Sequence, residues 1–464
     1  MRGKSALVAL LATPTSAYSP TGPRAGRRQS ALGTTTLDKS TIKGAPLDVG
    51  VEEPARSIDV YATLPPVDIR LLDEKEHRTH VIDLVKGPPC PDPFALVQSE
   101  LVPFSDNMKL LVASENPILS QAASHFFEKR HGKRFRPTIV MLLAQALPNA
   151  RRESDEAVFE RQARLGQVTE MIHVASLIHD DVLDDADTRR GGDAIHKMYS
   201  NKVAVLSGDY LLARASVLLA KLGHMDVVRV MARALDSLVS GEIMQIKANG
   251  AADKKSVEDK DELQGPATVK KGFLKSVKAA LNLGRSHEAE QKELAERDAR
   301  EMELYLRKSY YKTASLICDA SRSCALLAGH ATDSDVVAAA EEYGYHLGLA
   351  FQIVDDVLDF QLDSTQLGKP AGADLSLGLA TAPILFAAQD HPELRPLIER
   401  RFKGQGDVST AYETVRASQG MDLALKLAGF HAQRAVDAIC RVAPDSEARD
   451  ALISICYIVL SRNK

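Results

Sequence analysis

Residues 176–190 read SLIHDDVLDDADTRR, an apolar stretch that ends in carboxylates and is followed by two arginines. The spacing predicts a helix on which Asp180 and Asp184 lie one turn apart on one face, with Asp181 beside them. Carboxylates held so close repel each other and shift each other's pKa unless a cation lies between them. Mg²⁺ is the natural partner, because it binds oxygen ligands from one or two carboxylates together with substrate phosphates and water.

The same acidic heptamer occurs twice in the chain. The pattern IHDDVLD at residues 178–184 recurs as IVDDVLD at residues 353–359. One such cluster is explained as well by a solvated helix end as by a metal site. Two copies, each on an apolar helix, indicate a multi-metal clamp that grips a polyphosphate across a cavity. The candidate metal ligands are the six aspartates of the two clusters: Asp180, Asp181, Asp184, Asp355, Asp356 and Asp359.

The two clusters resemble the first and second aspartate-rich motifs of the trans-polyprenyl diphosphate synthases. The resemblance covers residues 93–464, apart from a charged insert at about 249–300. Within the family, residues 371–383, AGADLSLGLATAP, most resemble the mitochondrial long-chain members that make ubiquinone side chains. The resemblance implies a single all-α bundle around a central cavity, with two or three Mg²⁺ ions per site. The implied reaction adds isopentenyl diphosphate units to an allylic diphosphate.

Composition also favours a helical globular protein. Of 464 residues, 45% are hydrophobic and 26% are charged, and β-branched alternation is nearly missing, which predicts an all-α chain. The net charge of −4 gives no support for nucleic-acid binding. No uninterrupted apolar run reaches the roughly 18 residues of a membrane span. The five cysteines lack zinc-ligand spacing, so we interpret them as reduced thiols of an intracellular compartment.

Residues 1–92 are interpreted as a targeting segment and linker ahead of the synthase domain. Residues 1–37 hold five basic residues and no acidic one, which is typical of an organelle transit peptide. The favoured destination is the mitochondrion, on the matrix side and peripheral to the inner membrane, because the downstream core resembles the mitochondrial branch. A plastid remains the alternative, since the apolar run at residues 6–12 could head a two-part plastid leader. That alternative implies a solanesyl diphosphate synthase for plastoquinone.

A cluster of basic residues precedes the apolar run that starts at residue 138, and it could bind a diphosphate. Residues 132–137, GKRFRP, are either a basic helix start or an anion clamp, because Arg binds phosphate oxygens in a bidentate fork and Lys adds a point charge. The resemblance implies that Gly132, Lys133 and Arg136 hold isopentenyl diphosphate. It assigns His173, seven residues before Asp180 and therefore on the same helical face, to the same substrate.

Other cations match the family's allylic side. Arg189 and Arg190 match the pair that binds the allylic and isopentenyl diphosphates, respectively. The remaining matches to the allylic subsite are Lys312, Thr313, Gln352 and Lys369. Leu379 stands where some relatives carry a second lysine, a departure that the long-chain branch shares. The predicted catalytic set is Asp180, Asp184, Asp355, Arg189 and Lys312, which would neutralise the departing diphosphate.

Two small residues before the first acidic cluster help to predict the chain length of the product. Ala175 and Ser176 lie five and four positions before Asp180, roughly 6–7.5 Å down the helix. Bulky aromatic residues there close the product tunnel in short-chain family members. Small residues predict an open tunnel and a product in the hexaprenyl to decaprenyl range.

Two other classes of protein and two kinds of oligomer are compatible with parts of the sequence. A terpene cyclase shares the fold and the first motif, but would lack the second aspartate cluster and the GKRFRP stretch. A non-catalytic subunit would have lost aspartates that this chain keeps. The oligomer is either a homodimer or a pair with a second, divergent subunit.

The remaining segments are less distinctive. Residues 203–247 are predicted to form core helices. The insert is either a disordered loop followed by a solvated helix or a surface helix that touches anionic lipid.

Overall fold

The computed structural model describes residues 91–111, 117, 121, 134–151, 154–189, 192–249, 287–361 and 372–462. The targeting segment, nearly all of the linker and most of the insert lie outside these residues. Apart from one hairpin of two-residue strands, the regular structure of the described part of the chain is helical, which confirms the all-α prediction.

Sixteen α-helices, a π-helical turn, a 3₁₀ turn and two short strands are found among the described residues. The helices are α1 (Pro93–Leu96), α2 (Gln98–Leu111), α3 (Phe135–Ala146), α4 (Asp155–Leu183), α5 (Ile195–Met198), α6 (Asn201–Lys221), α7 (Met225–Asn249), α8 (His287–Ser309), α9 (Ser315–Leu327), α10 (Asp335–Gln361), α11 (Ala373–Ser376), α12 (Ala382–Asp390), α13 (Arg395–Glu399), α14 (Asp407–Ala417), α15 (Gly420–Val442) and α16 (Glu447–Leu460). The π turn is Tyr310–Ala314, the 3₁₀ turn is Pro392–Leu394, and β1 (Thr188–Arg189) pairs antiparallel with β2 (Gly192–Asp193).

Helix α4 carries the first acidic cluster, and its two ends are set by local chemistry. The Ser154 hydroxyl caps the start by accepting from the Ala157 amide at 3.3 Å, and Asp155 and Glu156 complement the positive end of the helix dipole. At the other end Asp184 is the C-cap, and Asp185 follows in the left-handed region with φ 48°. The helix therefore stops inside the acidic heptamer.

Helix α9 is the centre of the bundle. Every one of its 13 residues is buried, and it packs against α3, α4, α7 and α10. Helix α10 closely approaches α9 and the π turn before it through two glycines: a Cβ on Gly344 would lie 2.7 Å from Cys318 Cα, and one on Gly348 would lie 2.5 Å from Ala314 Cα. A larger residue at either position would force the two backbones apart.

The pairs of residues in contact show that the neighbours of α9 run antiparallel to it. Along α10, Glu341 lies beside Arg322 while Gly348 lies beside Ala314. Along α7, Arg233 pairs with Asp319, and Gly241 touches the Lys312 backbone. The C-terminal ends of α7 and α10 therefore lie at the N-terminal end of α9.

Helix α4 ends at this same end of the bundle. Gln162, near its start, donates to the Cys324 carbonyl at the far end of α9. The ring of His179, beside the first acidic cluster, lies 3.1 Å from the Val205 carbonyl in the first turns of α6. Helix α6 leads through the turn at Gly223 into α7, so its start lies near the end of α7. Two acidic heptamers far apart in sequence thus come to one end of the bundle.

A buried network of four charges joins α7, α9 and α10. Arg322 pairs with Glu341 at 2.6 Å, and Arg233 pairs with Asp319 at 2.5 Å and with Glu341 at 3.8 Å. Two cations and two anions balance, so no net charge is buried. Removing one member would leave an uncompensated charge, at a cost of about 3–5 kcal/mol.

Helices α6 and α7 are packed on one face only. The prediction of core helices at residues 203–247 holds for the packed face, but six large apolar side chains are exposed on the other: Val205, Leu206, Val217, Met225, Val239 and Ile243. We call these six residues the α6–α7 apolar face. By length and mean hydropathy, α6 is also the one described helix able to cross a membrane, although part of it is buried in the bundle.

Helix α8 confirms the charged helix predicted for the end of the insert and extends it to Ser309. It is attached to the bundle by ion pairs, with Arg297 at 3.1 Å from Glu399 and Asp298 at 2.7 Å from Arg395. No disulfide joins the four cysteines of the described residues, which are Cys318, Cys324, Cys440 and Cys456.

A buried histidine pair joins α10 to α15. The Nδ1 atoms of His346 and His431 lie 2.8 Å apart, so one ring must donate and the other accept. Burial lowers the pKa of His431 to about 3, with the charge of Arg434 acting in the same direction. Burial, then His431 and Arg434, also lower the pKa of His346 well below its ordinary value.

Acidification is therefore expected to destabilise the fold through this pair. Between about pH 6.5 and the lower folded-state pKa values, the unfolded chain binds protons at these histidines and the folded chain does not, so stability falls as pH falls. From about pH 7.5 to 5.5 the two histidines should remove about 1–3 kcal/mol from the free energy of unfolding. Urea titrations of the parent chain and of His346→Asn/His431→Asn, which keeps an N–H···O contact without titrating, would measure this difference. Equal pH slopes in the two proteins would contradict it.

Candidate active site

Two of the three carboxylates of the first acidic cluster are accessible to solvent. Asp180 is half-buried and Asp184 is exposed, whereas Asp181 is only 1% exposed. The Asp184 amide donates to the Asp180 carbonyl at 2.8 Å and closes the last turn of α4. Asp180 and Asp184 therefore remain one turn apart, as predicted, and Asp181 lies within the protein.

The segment after α4 is held by a lysine. Lys197 Nζ contacts the carboxylates of Asp185 at 3.0 Å and Asp187 at 3.1 Å. The hydrogen bond from Lys197 lowers the pKa of Asp185, and those carboxylates raise the pKa of Lys197. The β1–β2 hairpin follows, so the backbone of Arg189 lies directly beyond the first cluster.

The second cluster is arranged differently. Asp355 is exposed, but Asp356 is 4% exposed and accepts from Tyr305 Oη at 2.6 Å and from Gln352 Nε2 at 2.8 Å. Burial raises the pKa of Asp356, the negative charge of Asp374 adds to this, and the Tyr305 hydrogen bond opposes it. Asp359 is also buried and accepts from the Asp374 amide at 3.2 Å. Asp355 is thus the member of this cluster that faces outward.

The π turn between α8 and α9 aims two successive side chains at different neighbours. Lys312 Nζ lies 2.9 Å from Gln245 Oε1 and 2.9 Å from Glu242 Oε1, both on α7. Thr313 Oγ1 donates to Gln352 Oε1 on α10 at 2.5 Å. Gln352 donates in turn to Asp356, so the Lys-Thr pair is connected to the second cluster. Single π turns inside α-helices are frequent at functional sites.

Residues near the end of the chain reach the second cluster. Arg462 Nη2 lies 3.4 Å from Asp355 Oδ1, and its guanidinium lies 4.4 Å from the centre of the Phe351 ring. Phe351 in turn packs against Phe135 with ring centroids 5.1 Å apart. Because Phe135 begins α3, the start of that helix and the half-buried Arg136 lie near Asp355.

The structure brings together Lys312, Thr313, Gln352, Asp355 and Asp356, and places Asp180 and Asp184 at the same end of the bundle. His173 and Ser176 are half-buried, seven and four residues before Asp180 and so on its side of α4. Ala175 lies instead in the main hydrophobic core with no exposure. Gly132, Lys133, Arg190 and Lys369 lie outside the described residues, as does the side chain of Arg189.

Sequence reasoning missed three residues of the site. Tyr305 lies seven residues before Lys312, a spacing that an unbroken helix would place on one side, although the π turn directs Tyr305 to α10 and Lys312 to α7. Glu242 lies three residues before Gln245 and shares its face. These two spacings were available signals. Arg462 carried none, because its partner Asp355 is distant in sequence.

The outward carboxylates suit a hard cation. Asp180, Asp184 and Asp355 offer only oxygen ligands, the donor set that Mg²⁺ prefers. Another group of metal-binding type, Cys318, Asp319 and Glu341, has its ligand atoms within 4.8 Å of one another. It fits a metal poorly, because Arg233 and Arg322 already neutralise both of its carboxylates.

The sequence matches the family described as Polyprenyl synthetase over residues 116–296 and 273–415. The chain is 39% identical over 414 residues to the mitochondrial solanesyl-diphosphate synthase 1 of Oryza sativa, covering 86% of this chain and 85% of that protein. It is 38% identical over 424 residues to the probable mitochondrial hexaprenyl pyrophosphate synthase of Neurospora crassa, covering 83% and 85%.

Solved structures of prenyl diphosphate synthases are also similar to this chain. An Arabidopsis medium/long-chain length prenyl pyrophosphate synthase in its apo form is 34% identical, with a TM-score of 0.56 over 81% of this chain and 100% of that one. The heptaprenyl diphosphate synthase of Staphylococcus aureus is 26% identical, with a TM-score of 0.62 over 79% and 99%.

The fold and the paired carboxylate clusters define an all-α isoprenoid synthase, and the chain belongs to the polyprenyl synthetase family. It is a prenyltransferase of the long-chain polyprenyl diphosphate synthase class, which confirms the function predicted from its sequence.

Replacing Tyr305 by Phe tests the hydrogen bond behind the second cluster. Loss of the donor to the buried Asp356 should lower the free energy of unfolding by about 1–3 kcal/mol, measured by urea denaturation. The matched control is Tyr343→Phe, since Tyr343 is also buried and donates to the Leu452 carbonyl at 2.9 Å.

Both variants should lose similar stability, but only Tyr305→Phe should lower kcat/KM for the allylic substrate. Equal kinetic effects in the two variants would show that Tyr305 acts through stability alone.

Proposed function

We propose that this protein extends an allylic diphosphate by successive additions of isopentenyl diphosphate, at the end of the bundle to which both acidic clusters belong. The observation that supports the proposal is that the helix carrying Asp180 and Asp184 and the helix carrying Asp355 both end at the N-terminal end of α9, where Lys312 and Thr313 also lie. Carboxylates that would hold a cation, at the same end of the bundle as a lysine, provide the positive charge that a diphosphate leaving group requires.

Mg²⁺ would be held by Asp180, Asp184 and Asp355, in two or three ions, and would supply positive charge for the leaving diphosphate. Asp181, Asp356 and Asp359, which the sequence also predicts as metal ligands, are buried, so we assign the metal to the three more exposed carboxylates. Tyr305 and Gln352 hold Asp356, and Asp359 is tied to the backbone of Asp374.

The side chains divide between the two substrates. Arg189, Lys312, Thr313, Gln352 and Lys369 hold the allylic diphosphate, while Gly132, Lys133, Arg136, His173 and Arg190 hold isopentenyl diphosphate. The allylic C–O bond breaks and its electron pair leaves with the diphosphate. The double bond of isopentenyl diphosphate attacks the resulting carbocation, and a proton passes to the released pyrophosphate. Water must be excluded during these steps, because it would quench the cation.

The product is proposed to be a long chain for the ubiquinone side chain, made in the mitochondrion. The mitochondrial relatives reported above support this location, and an organelle transit peptide at residues 1–37 would target the protein there. The small, half-buried Ser176 would leave room for the growing chain beneath the first cluster, whereas Ala175 is packed in the core beside it. Ser176 is the better placed of the two, since it shares the Asp180 side of α4.

A single assay tests the reaction and the tunnel. Purified protein with Mg²⁺, an allylic primer and labelled isopentenyl diphosphate should give, after phosphatase treatment, a ladder of prenyl alcohols ending in the hexaprenyl to decaprenyl range. Ser176→Phe and Ala175→Phe should both shorten the ladder, and Ala175→Phe should also cost about 1–3 kcal/mol of stability by overpacking the core.

The control is Ala157→Phe, at the far end of α4 and roughly 35 Å from Asp180, which should leave the ladder unchanged. Hydrocarbon products would indicate a cyclase. Full-length products from both tunnel variants would contradict the tunnel placement.

We also propose that the enzyme is a homodimer formed through the α6–α7 apolar face. Six large apolar side chains exposed on two adjacent helices are more than isolated surface residues of a monomer require. A two-fold axis would pack this helix pair against its own copy and cover the face on both subunits. A divergent second subunit with a similar helix pair is the competing occupant.

Charge on this face should separate the subunits. Leu206→Asp/Ile243→Asp is expected to convert a dimer to a monomer in sedimentation-velocity experiments, because buried carboxylates at an apolar interface are costly. Leu304→Asp, at an exposed leucine of α8, is the matched control and should remain dimeric. A parent chain that sediments as a monomer, or that dimerises despite both charges, would overturn this assignment.

A further inference from the structure

Lys312, the proposed cation for the allylic diphosphate, already has an anionic partner within the protein. Its Nζ lies 2.9 Å from Glu242 Oε1 and 2.9 Å from Gln245 Oε1. The side chains of Lys312 and Glu242 are 26% and 20% exposed, so the pair is partly shielded from water. Glu242 has no part in the reaction described above.

The backbone keeps Glu242 at this position. Gly241, its neighbour, lies so close to the π turn that a Cβ there would be 2.8 Å from the Lys312 amide nitrogen. Helix α7 and the π turn are therefore in direct backbone contact beside the ion pair. A diphosphate that reaches Lys312 must share it with Glu242 or replace Glu242, whose negative charge remains close by.

We infer that Glu242 sets the affinity of the diphosphate site by acting as an internal counter-ion that competes with bound pyrophosphate for Lys312. This inference rests on the proposed role of Lys312. An ammonium group is a compact charge with three donors, so Glu242 and a phosphate oxygen can both contact it. The like charges of Glu242 and the phosphate then weaken the binding of the diphosphate.

Weak binding of pyrophosphate suits repeated chain elongation. Each addition releases one pyrophosphate, which must leave before the lengthened allylic diphosphate can occupy the same cations. Glu242 favours that exchange because it restores a partner to Lys312 when pyrophosphate departs. The residue thus promotes product release, and it needs no direct contact with the reacting carbon atoms.

Calorimetric titration of inorganic pyrophosphate in the presence of Mg²⁺ tests this on the full-length protein. Glu242→Gln keeps the Oε1 acceptor for Lys312 but removes the charge, and should tighten pyrophosphate binding about tenfold, or about 1.4 kcal/mol. Gln245→Glu adds a second negative charge beside the same ammonium and should weaken binding. In steady-state kinetics Glu242→Gln should lower both the KM for the allylic substrate and kcat, because pyrophosphate leaves more slowly.

Two further variants separate this inference from the function on which it rests. Lys312→Gln should weaken pyrophosphate binding, and Glu242→Gln should no longer tighten it in that background. If Lys312→Gln has no effect on pyrophosphate, the proposed site is wrong. If Lys312→Gln weakens binding but Glu242→Gln alone does not tighten it, the counter-ion role is wrong. Weaker binding in Glu242→Gln would show instead that the carboxylate helps to hold Mg²⁺.

The matched control is Glu342→Gln. Glu342 is 21% exposed and pairs with Arg441 at 2.7 Å, so its ion pair resembles that of Glu242. It lies on α10, 13 residues before Asp355 and roughly 20 Å from it along the helix. This variant loses the same charge and should leave pyrophosphate affinity unchanged.

Discussion

Mutual repulsion among carboxylates is the constraint that the rest of the bundle must overcome. Two unit charges of like sign 4 Å apart repel by about 4 kcal/mol near a protein surface. Two helices can carry their aspartates to one end of the bundle only where strong packing holds them. That packing is supplied by α9, which is buried along its whole length, and by Gly344 and Gly348, which let α10 lie against it. The buried charge network at Arg233 and Arg322 fixes α7, α9 and α10 below the site.

The two acidic heptamers have nearly the same sequence but different environments, and the reason is where each helix ends. Helix α4 stops at Leu183, so Asp184 becomes an exposed C-cap. Helix α10 continues to Gln361, so Asp359 stays within the helix and is buried against Asp374. The repeat in the sequence predicts the shared chemistry of the clusters. It does not predict this difference, because helix ends depend on local caps and on contacts with other elements.

Much of the site could be predicted from the sequence. The helical periodicity, the paired heptamers, the Lys312-Thr313 pair and Gln352 were all identifiable from residue type and spacing, and the structure connects Thr313 through Gln352 to the second heptamer. The partners that complete the site were harder to find. Glu242 and Arg462 are ordinary charged residues in amphipathic helices, and only tertiary packing brings them to Lys312 and Asp355. The exposed apolar face of α6 and α7 was mistaken for core, since an apolar helical pattern does not say whether the same chain or another covers it.

The π turn at Tyr310–Ala314 has a consequence for how this enzyme could change by insertion or deletion. Deleting one residue there would give an unbroken α-helix from His287 to Leu327, with a more regular hydrogen-bond ladder. It would also rotate everything before the deletion by about 100° relative to α9. Tyr305 would turn away from α10, and α8 would lose its alignment with the rest of the bundle. The number of residues in the helical segment from His287 to Leu327 is thus constrained by geometry. A segment one residue shorter would be a more regular helix, but its side chains would point in the wrong directions.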